Sequence, residues 1–325
     1  MSPRSLASRL LAGAVAAGLA GVLAACGPAD QSASSDGSGG EESDAAPSGS
    51  YEDGTLTVVA EDFGFDAPRE VPSGWTSIRL QNVGEQNHFV YVYRLPDDVD
   101  FSQYRQEVVQ VFSRVWNRYS SGRLDREGTL AALGEQLPEW FVTEVVPSGG
   151  VALLDPGATA TSTVRLEPGT YALECYVKTP DGTWHTDRGM VRELRVTGEE
   201  SGLEPPEPDA TVTLSNYEIR IEGELTVGEQ TVEVRAADTP EGLMKHDLNL
   251  VRLDDSTTVE QVVEWMDWMD LDRFRSPAPG ENLGGVEHLA EGRTGYMAAD
   301  LDPGRYLLLS EEYASRGMVE ELTIE

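Results

Sequence analysis

The strongest constraint on the fold of this chain is a segment written twice. Gly149–Cys175 (GGVALLDPGATATSTVRLEPGTYALEC) aligns without a gap on Gly284–Ser310 (GGVEHLAEGRTGYMAADLDPGRYLLLS) at a constant offset of 135. The Gly-Gly-Val start, Leu154/Leu289, Gly157/Gly292, Thr159/Thr294, Leu166/Leu301, the Pro-Gly pair, Tyr171/Tyr306 and Leu173/Leu308 all keep that offset. Two further blocks frame it. His88 falls on His246 at an offset of 158, and Arg188-Gly189-Met190-Val191 falls on Arg316-Gly317-Met318-Val319 at 128. The first copy therefore carries 23 more residues before the long block and seven more in the loop after Cys175.

Within each copy the pattern is one of short apolar or alternating runs bounded by Gly and Pro, which reads as strands. The first copy gives Leu56–Ala60, Thr76–Leu80, Phe89–Leu95, Thr159–Leu166, Tyr171–Val177 and Val191–Val196. The second gives Thr211–Leu214, Thr231–Arg235, Asp247–Leu253, Gly295–Leu301, Tyr306–Ser310 and Val319–Ile324. Each copy also has one helical stretch, Gln103–Tyr119 and Val259–Asp270, whose apolar stripes suit helices capping the end of a sandwich. The expectation is an all-β fold with small helical insertions, two β-sandwiches in tandem. A chain of 325 residues is long enough for both to bury a core. Their expected limits are 51–197 and 210–325, joined by an acidic, proline-containing linker at 198–209 (GEESGLEPPEPD).

The N-terminus points to export. Met1–Leu10 holds two arginines, Leu11–Leu23 is apolar and too short to span a bilayer, and Leu23-Ala24-Ala25-Cys26-Gly27 places small residues before a cysteine. This resembles a bacterial lipoprotein signal with its lipobox. The resemblance implies that residues 1–25 are removed and that Cys26 carries a lipid. The chain would then sit on the extracytoplasmic face of the cell membrane. Residues 26–50 are mostly Ser, Gly, Asp, Glu and Ala, and read as a disordered tether. The formal charge of −33, with only two lysines, excludes a basic surface for nucleic acid or anionic lipid. With Cys26 acylated, Cys175 has no disulfide partner in an oxidising compartment, so it is either a buried thiol or a ligand.

The residues around Cys175 give that question a shape. Asn82-Val83-Gly84-Glu85-Gln86-Asn87-His88 and Pro168-Gly169-Thr170-Tyr171…Cys175…His185…Gly189-Met190 resemble the two ligand-bearing segments of the cupredoxin family. The resemblance covers most of both folded units and implies Greek-key cupredoxin-like β-sandwiches. In the first copy it implies a copper ion held by His88, Cys175, His185 and Met190. One thiolate and two imidazoles in a trigonal set, with a distant thioether, suit copper cycling between two oxidation states. The function implied is electron transfer or copper handling through a redox partner, and not substrate turnover.

The residues by themselves leave a second reading open, a metal-free scaffold of the same fold that binds other proteins. Nine residues separate Cys175 from His185, where cupredoxins usually have two to four. Thr179-Pro180-Asp181-Gly182 is a good turn, so the excess reads as a hairpin pairing Tyr176 with His185 and Cys175 with Thr186, which without a bulge sets the two ligand candidates on opposite faces. The second copy keeps His246 and Met318 but has Ser310 in place of cysteine, which takes diagnostic weight from His88 and Met190. His288 reads as surface or packing. Only four histidines occur, too few for the extra copper centres of a multicopper enzyme, and there is no nucleophile elbow or phosphate loop. The chain reads as a non-enzyme.

Overall fold

The computed structural model describes residues 48–325, Leu243 excepted. The signal peptide, Cys26 and nearly all of the tether expected from the sequence lie outside the described residues. No helix among the described residues is long and apolar enough to cross a membrane.

Nine strands form the first copy: β1 (Ser50–Glu52), β2 (Thr55–Glu61), β3 (Gly64–Asp66), β4 (Glu70–Asn82), β5 (His88–Arg94), β6 (Val146–Leu154), β7 (Thr159–Leu166), β8 (Gly169–Glu174) and β9 (Val191–Glu200). Eight form the second: β10 (Ala210–Ser215), β11 (Glu218–Gly223), β12 (Gly228–Ala236), β13 (His246–Leu253), β14 (Glu281–Leu289), β15 (Thr294–Leu301), β16 (Gly304–Leu309) and β17 (Val319–Ile324). Between β5 and β6 stand α1 (Phe101–Tyr104), a π-helical turn over Arg105–Val109, α2 (Gln110–Ser120), α3 (Arg126–Gln136) and α4 (Glu139–Thr143). The short α5 (His185–Arg188) follows β8, and α6 (Val259–Trp265) lies between β13 and β14. The chain is thus all-β with small helical insertions, as its turn-bounded apolar runs require.

In β4, Ile78, Leu80 and Asn82 point inward while Arg79 is exposed, the two-residue period of a half-covered strand. β5 is buried from His88 to Tyr93 because it is covered on both faces. Parallel pairing of β2 with β4, and antiparallel pairing of β4 with β7, makes one sheet. The other is built from β9, β8, β5 and β6. The second copy repeats both halves, β10–β12–β15 and β14–β13–β16–β17.

The two copies join through equivalent strands. On β6 and β14, Leu154 pairs with Leu283 and Ser148 with Leu289. On β7 and β15, Thr163 pairs with Tyr296 and Thr161 with Ala298. At the repeat offset of 135, Leu283 is the counterpart of Ser148 and Leu289 that of Leu154, so each pairing is the other with the copies exchanged. That is an isologous contact about a local two-fold axis, the arrangement of a symmetric dimer made within one chain.

This geometry explains the conserved letters of the repeat. Gly150 has φ +128° and a Cβ there would lie 1.9 Å from Val90 O, while Gly285 has φ +140° and would meet Leu248 O at 1.9 Å. Only glycine lets β6 and β14 approach their neighbours that closely at a bulged register. Tyr171 donates its hydroxyl to Glu167 O at 2.8 Å and Tyr306 does the same to Asp302 O at 2.9 Å. Each tyrosine pins the Pro-Gly turn that opens its strand.

Candidate metal centre

Three elements bring the sequence-derived ligands together. His88 opens β5, Cys175 follows the last residue of β8, and His185 opens α5. All three are fully buried, and their ligand atoms lie within 4.8 Å of one another. Cys175 Sγ is 3.7 Å from His88 Nδ1 and 3.6 Å from His185 Nδ1.

The long loop achieves this differently from the hairpin expected. The Thr179–Gly182 turn forms, with Gly182 N donating to Thr179 O at 2.8 Å. Pairing, however, sets Lys178 opposite Trp184 and His185 N on Val177 O, one residue out of the expected register. It then stops, because the chain turns helical at His185. Gly189, at φ +115°, closes that turn in the left-handed region, and Met190 N returns to His185 O at 3.0 Å. The one-residue shift by itself moves His185 to the face that carries Cys175, and the helical turn then brings the chain back to Met190.

Both imidazoles are oriented by their outer nitrogens. His88 Nε2 lies 2.7 Å from Asp62 Oδ1, and His185 Nε2 lies 3.2 Å from Gln86 Oε1. Each outer nitrogen donates its hydrogen to an oxygen, so each Nδ1 lone pair faces the sulfur. The first pair needs Gly84, since a Cβ there would stand 2.3 Å from Asp62 Oδ1 and 2.9 Å from His88 Nε2. Asn82 holds that loop, with its side chain donating to Gln86 O and Leu154 O and accepting from Gly84 N. Phe63 packs over His185 with ring centres 4.9 Å apart.

Burial decides the protonation states. It lowers His185 to about 3, with His88 adding to the effect, and lowers His88 against the opposing pull of Asp62. It pushes the Cys175 thiol up. The metal-free site therefore holds neutral imidazoles and a protonated thiol, and a cation entering it would displace the thiol proton.

The donor set fits a metal ion. Bonds of about 2.0 Å to nitrogen and 2.3 Å to sulfur, at angles of roughly 109° to 120°, put nitrogen and sulfur about 3.5–3.7 Å apart. The two sulfur–nitrogen distances of 3.6 and 3.7 Å fall in that range. Met190 is fully buried and tied to the site by its backbone, its N to His185 O and its O accepting from Cys175 N at 3.2 Å.

The second copy is an internal control. Ser310 N donates to Met318 O at 3.1 Å and Met318 N to Tyr313 O at 3.1 Å, the same two bonds that frame Cys175, Met190 and His185. Tyr313 thus occupies the place of His185, and Ser310 that of Cys175. His246 keeps a carboxylate on Nε2, Asp238 Oδ1 at 2.7 Å, but its Nδ1 has no partner. Ser310 turns its hydroxyl to Asp247 Oδ1 at 2.6 Å. The backbone frame around the methionine is therefore common to both copies, while Cys175 and His185 are what the first copy adds.

Sequence reasoning missed Asp62 and Gln86. Gln86 lies in the Asn82–His88 segment, two residues before the ligand, but Asp62 is 26 positions from His88 and only the fold brings it near. His288 is packing: fully buried, it lies 2.9 Å from Glu287 and stacks on Tyr91 at 4.7 Å.

No protein family matches the sequence, and no curated protein does. Among solved structures, the chain is similar to dithionite-reduced auracyanin from Roseiflexus castenholzii, at 21% identity over 44% of this chain and 97% of that one, with a TM-score of 0.26. It is similar to auracyanin A, a "blue" copper protein of Chloroflexus aurantiacus, at 19% identity over 44% and 100%, TM-score 0.25. A multicopper oxidase is covered over 88% by 83% of this chain, at 12% identity and TM-score 0.23. Likenesses this distant do not bear on chemistry, and the case for a metal rests on the side chains themselves.

Proposed function

We propose that the first copy binds one copper ion through His88, Cys175 and His185, with Met190 as a weaker fourth donor, and that the protein serves electron transfer or copper handling rather than turnover. The observation that supports this is the convergence of a buried thiol and two buried imidazoles, each with its outer nitrogen anchored and its inner lone pair turned to the sulfur. A copper ion bound there supplies a one-electron couple within a site closed to water. The protein's part is to hold the donors in place, which limits rearrangement between oxidation states. In the same reading the lipid on Cys26 ties the chain to the extracytoplasmic face of the membrane, where it meets a redox partner protein and no nucleic acid.

The test is spectroscopic. Purified protein given Cu(II) is expected to bind one equivalent and develop an intense thiolate-to-copper charge-transfer band, which Cys175→Ser abolishes. A colourless protein holding no stoichiometric copper overturns the reading.

A further inference from the structure

The helical insertion of the first copy does more than cap the sandwich. Together with the sheet and a loop of the second copy, it forms a partly open cavity of about 120 Å³. The wall is mainly aromatic, with Tyr91, Tyr93, Phe112, Phe141, Tyr176 and Trp184 all lining it. Val108 and Val109, in the π-helical turn, contribute the apolar remainder on the helix side. A cavity of roughly 150 Å³ with apolar walls holds benzene. The volume here therefore suits one six-membered ring.

The polar groups select among single-ring molecules. The carboxylate on the wall is Glu174, which is buried and accepts one hydrogen bond on each oxygen, from Tyr93 at 3.0 Å and Tyr104 at 2.6 Å. Each carboxylate oxygen has a second lone pair, so Glu174 can accept another donor. A ring bearing an anion would meet that carboxylate, in a chain whose formal charge is −33. A ring bearing a cation meets Lys245. Lys245 lines the cavity, half-buried, with no carboxylate in ion-pair range among the described residues, and the Lys178 ammonium lies 5.3 Å from the Trp184 ring centre. A cation–π place on Trp184 is already taken. What remains is a neutral ring with a hydrogen-bond donor.

We infer that this cavity is a binding site for a single-ring phenol, its ring among the aromatic side chains and its hydroxyl donating to Glu174. The site stands whether or not copper is bound, so the Cys175→Ser protein serves for the measurement as well as the parent chain, and failure here is distinct from failure of the copper reading.

Titration calorimetry of the full chain with 4-methylphenol, toluene, benzylammonium and benzoate tests it without altering the fold. Expected is saturable one-to-one binding of 4-methylphenol, about tenfold tighter than toluene, for the one added hydrogen bond to Glu174. Val142 lines the cavity yet is 57% exposed, so Val142→Trp narrows the site without disturbing the core and should weaken 4-methylphenol about tenfold while leaving the circular dichroism unchanged. No saturable binding of 4-methylphenol, equal binding of toluene, or tighter binding of benzylammonium or benzoate overturns the inference.

Discussion

Asp62→Ala separates a positioning role from a merely structural one, because the chain contains its own control. In the first copy Asp62 Oδ1 holds His88 Nε2 at 2.7 Å, and in the second Asp238 Oδ1 holds His246 Nε2 at 2.7 Å. Both histidines are fully buried, and the carboxylates are partly exposed, at 21% and 34%. Removing either carboxylate leaves a buried N–H without its acceptor, which costs about 1–3 kcal/mol of stability. The consequences for a metal differ. His88 Nδ1 faces Cys175 Sγ at 3.7 Å, whereas His246 Nδ1 faces no partner. Freed of Asp62, the His88 ring loses its fixed orientation and tautomer, and loss of such an outer partner typically costs 10–100-fold in metal affinity, or about 1.4–2.8 kcal/mol. Denaturant unfolding of the metal-free proteins should show both variants destabilised by comparable amounts. Competition of each against a Cu(II) chelator should show a 10–100-fold weakening for Asp62→Ala and none for Asp238→Ala. Copper affinity within twofold of the parent in Asp62→Ala, or an equal weakening in Asp238→Ala, refutes the argument.

Two further outcomes follow from the sequence repeat and its leader. Gly150→Ala and Gly285→Ala each set a Cβ 1.9 Å from a neighbouring carbonyl oxygen at a positive φ, so both should destabilise the chain by more than about 3 kcal/mol in denaturant unfolding, and a loss under 1 kcal/mol in either would discredit the close-approach account. Cys26→Ser should move the protein from the membrane fraction to the soluble fraction of cells that make it. An unchanged membrane fraction would count against the lipid anchor.

The strands with a clear two-residue period or a turn on each side were readable from sequence, and Val319–Ile324 forms as expected to the residue. β6 and β14 were not, although they carry the join between the copies. Their central Gly-Gly pairs look like breaks, and their burial on both faces erases the alternation that marks a strand. Helix α3 of the insertion, Arg126–Gln136, escaped because its apolar residues make no wide stripe. In the site, Cys175 and His185 were legible as the pair that distinguishes the copies. How they meet was not, since a four-residue helical turn leaves no periodicity to read. The substitution at the equivalent place was within reach: the offset of 128 that matches Met190 to Met318 also matches His185 to Tyr313.

The comparison of the two copies shows what the fold requires and what the first site adds. The backbone bonds around Met190 and Met318, the carboxylate on each histidine and the Pro-Gly-x-Tyr turn are present in both, so they are consequences of building this sandwich. In the second copy the remaining polar groups turn to one another or to backbone: Ser310 to Asp247, and the Tyr313 hydroxyl to Met244 O at 2.8 Å. His246 Nδ1 stays buried and unpaired, a burden of about 1–3 kcal/mol. In the first copy the equivalent atom faces a thiol, and a second imidazole faces the same sulfur from His185. The frame, the histidine and the methionine are common to both copies. That frame does not explain why a cysteine and a second histidine also converge there in the dry interior; the shared cation proposed above would.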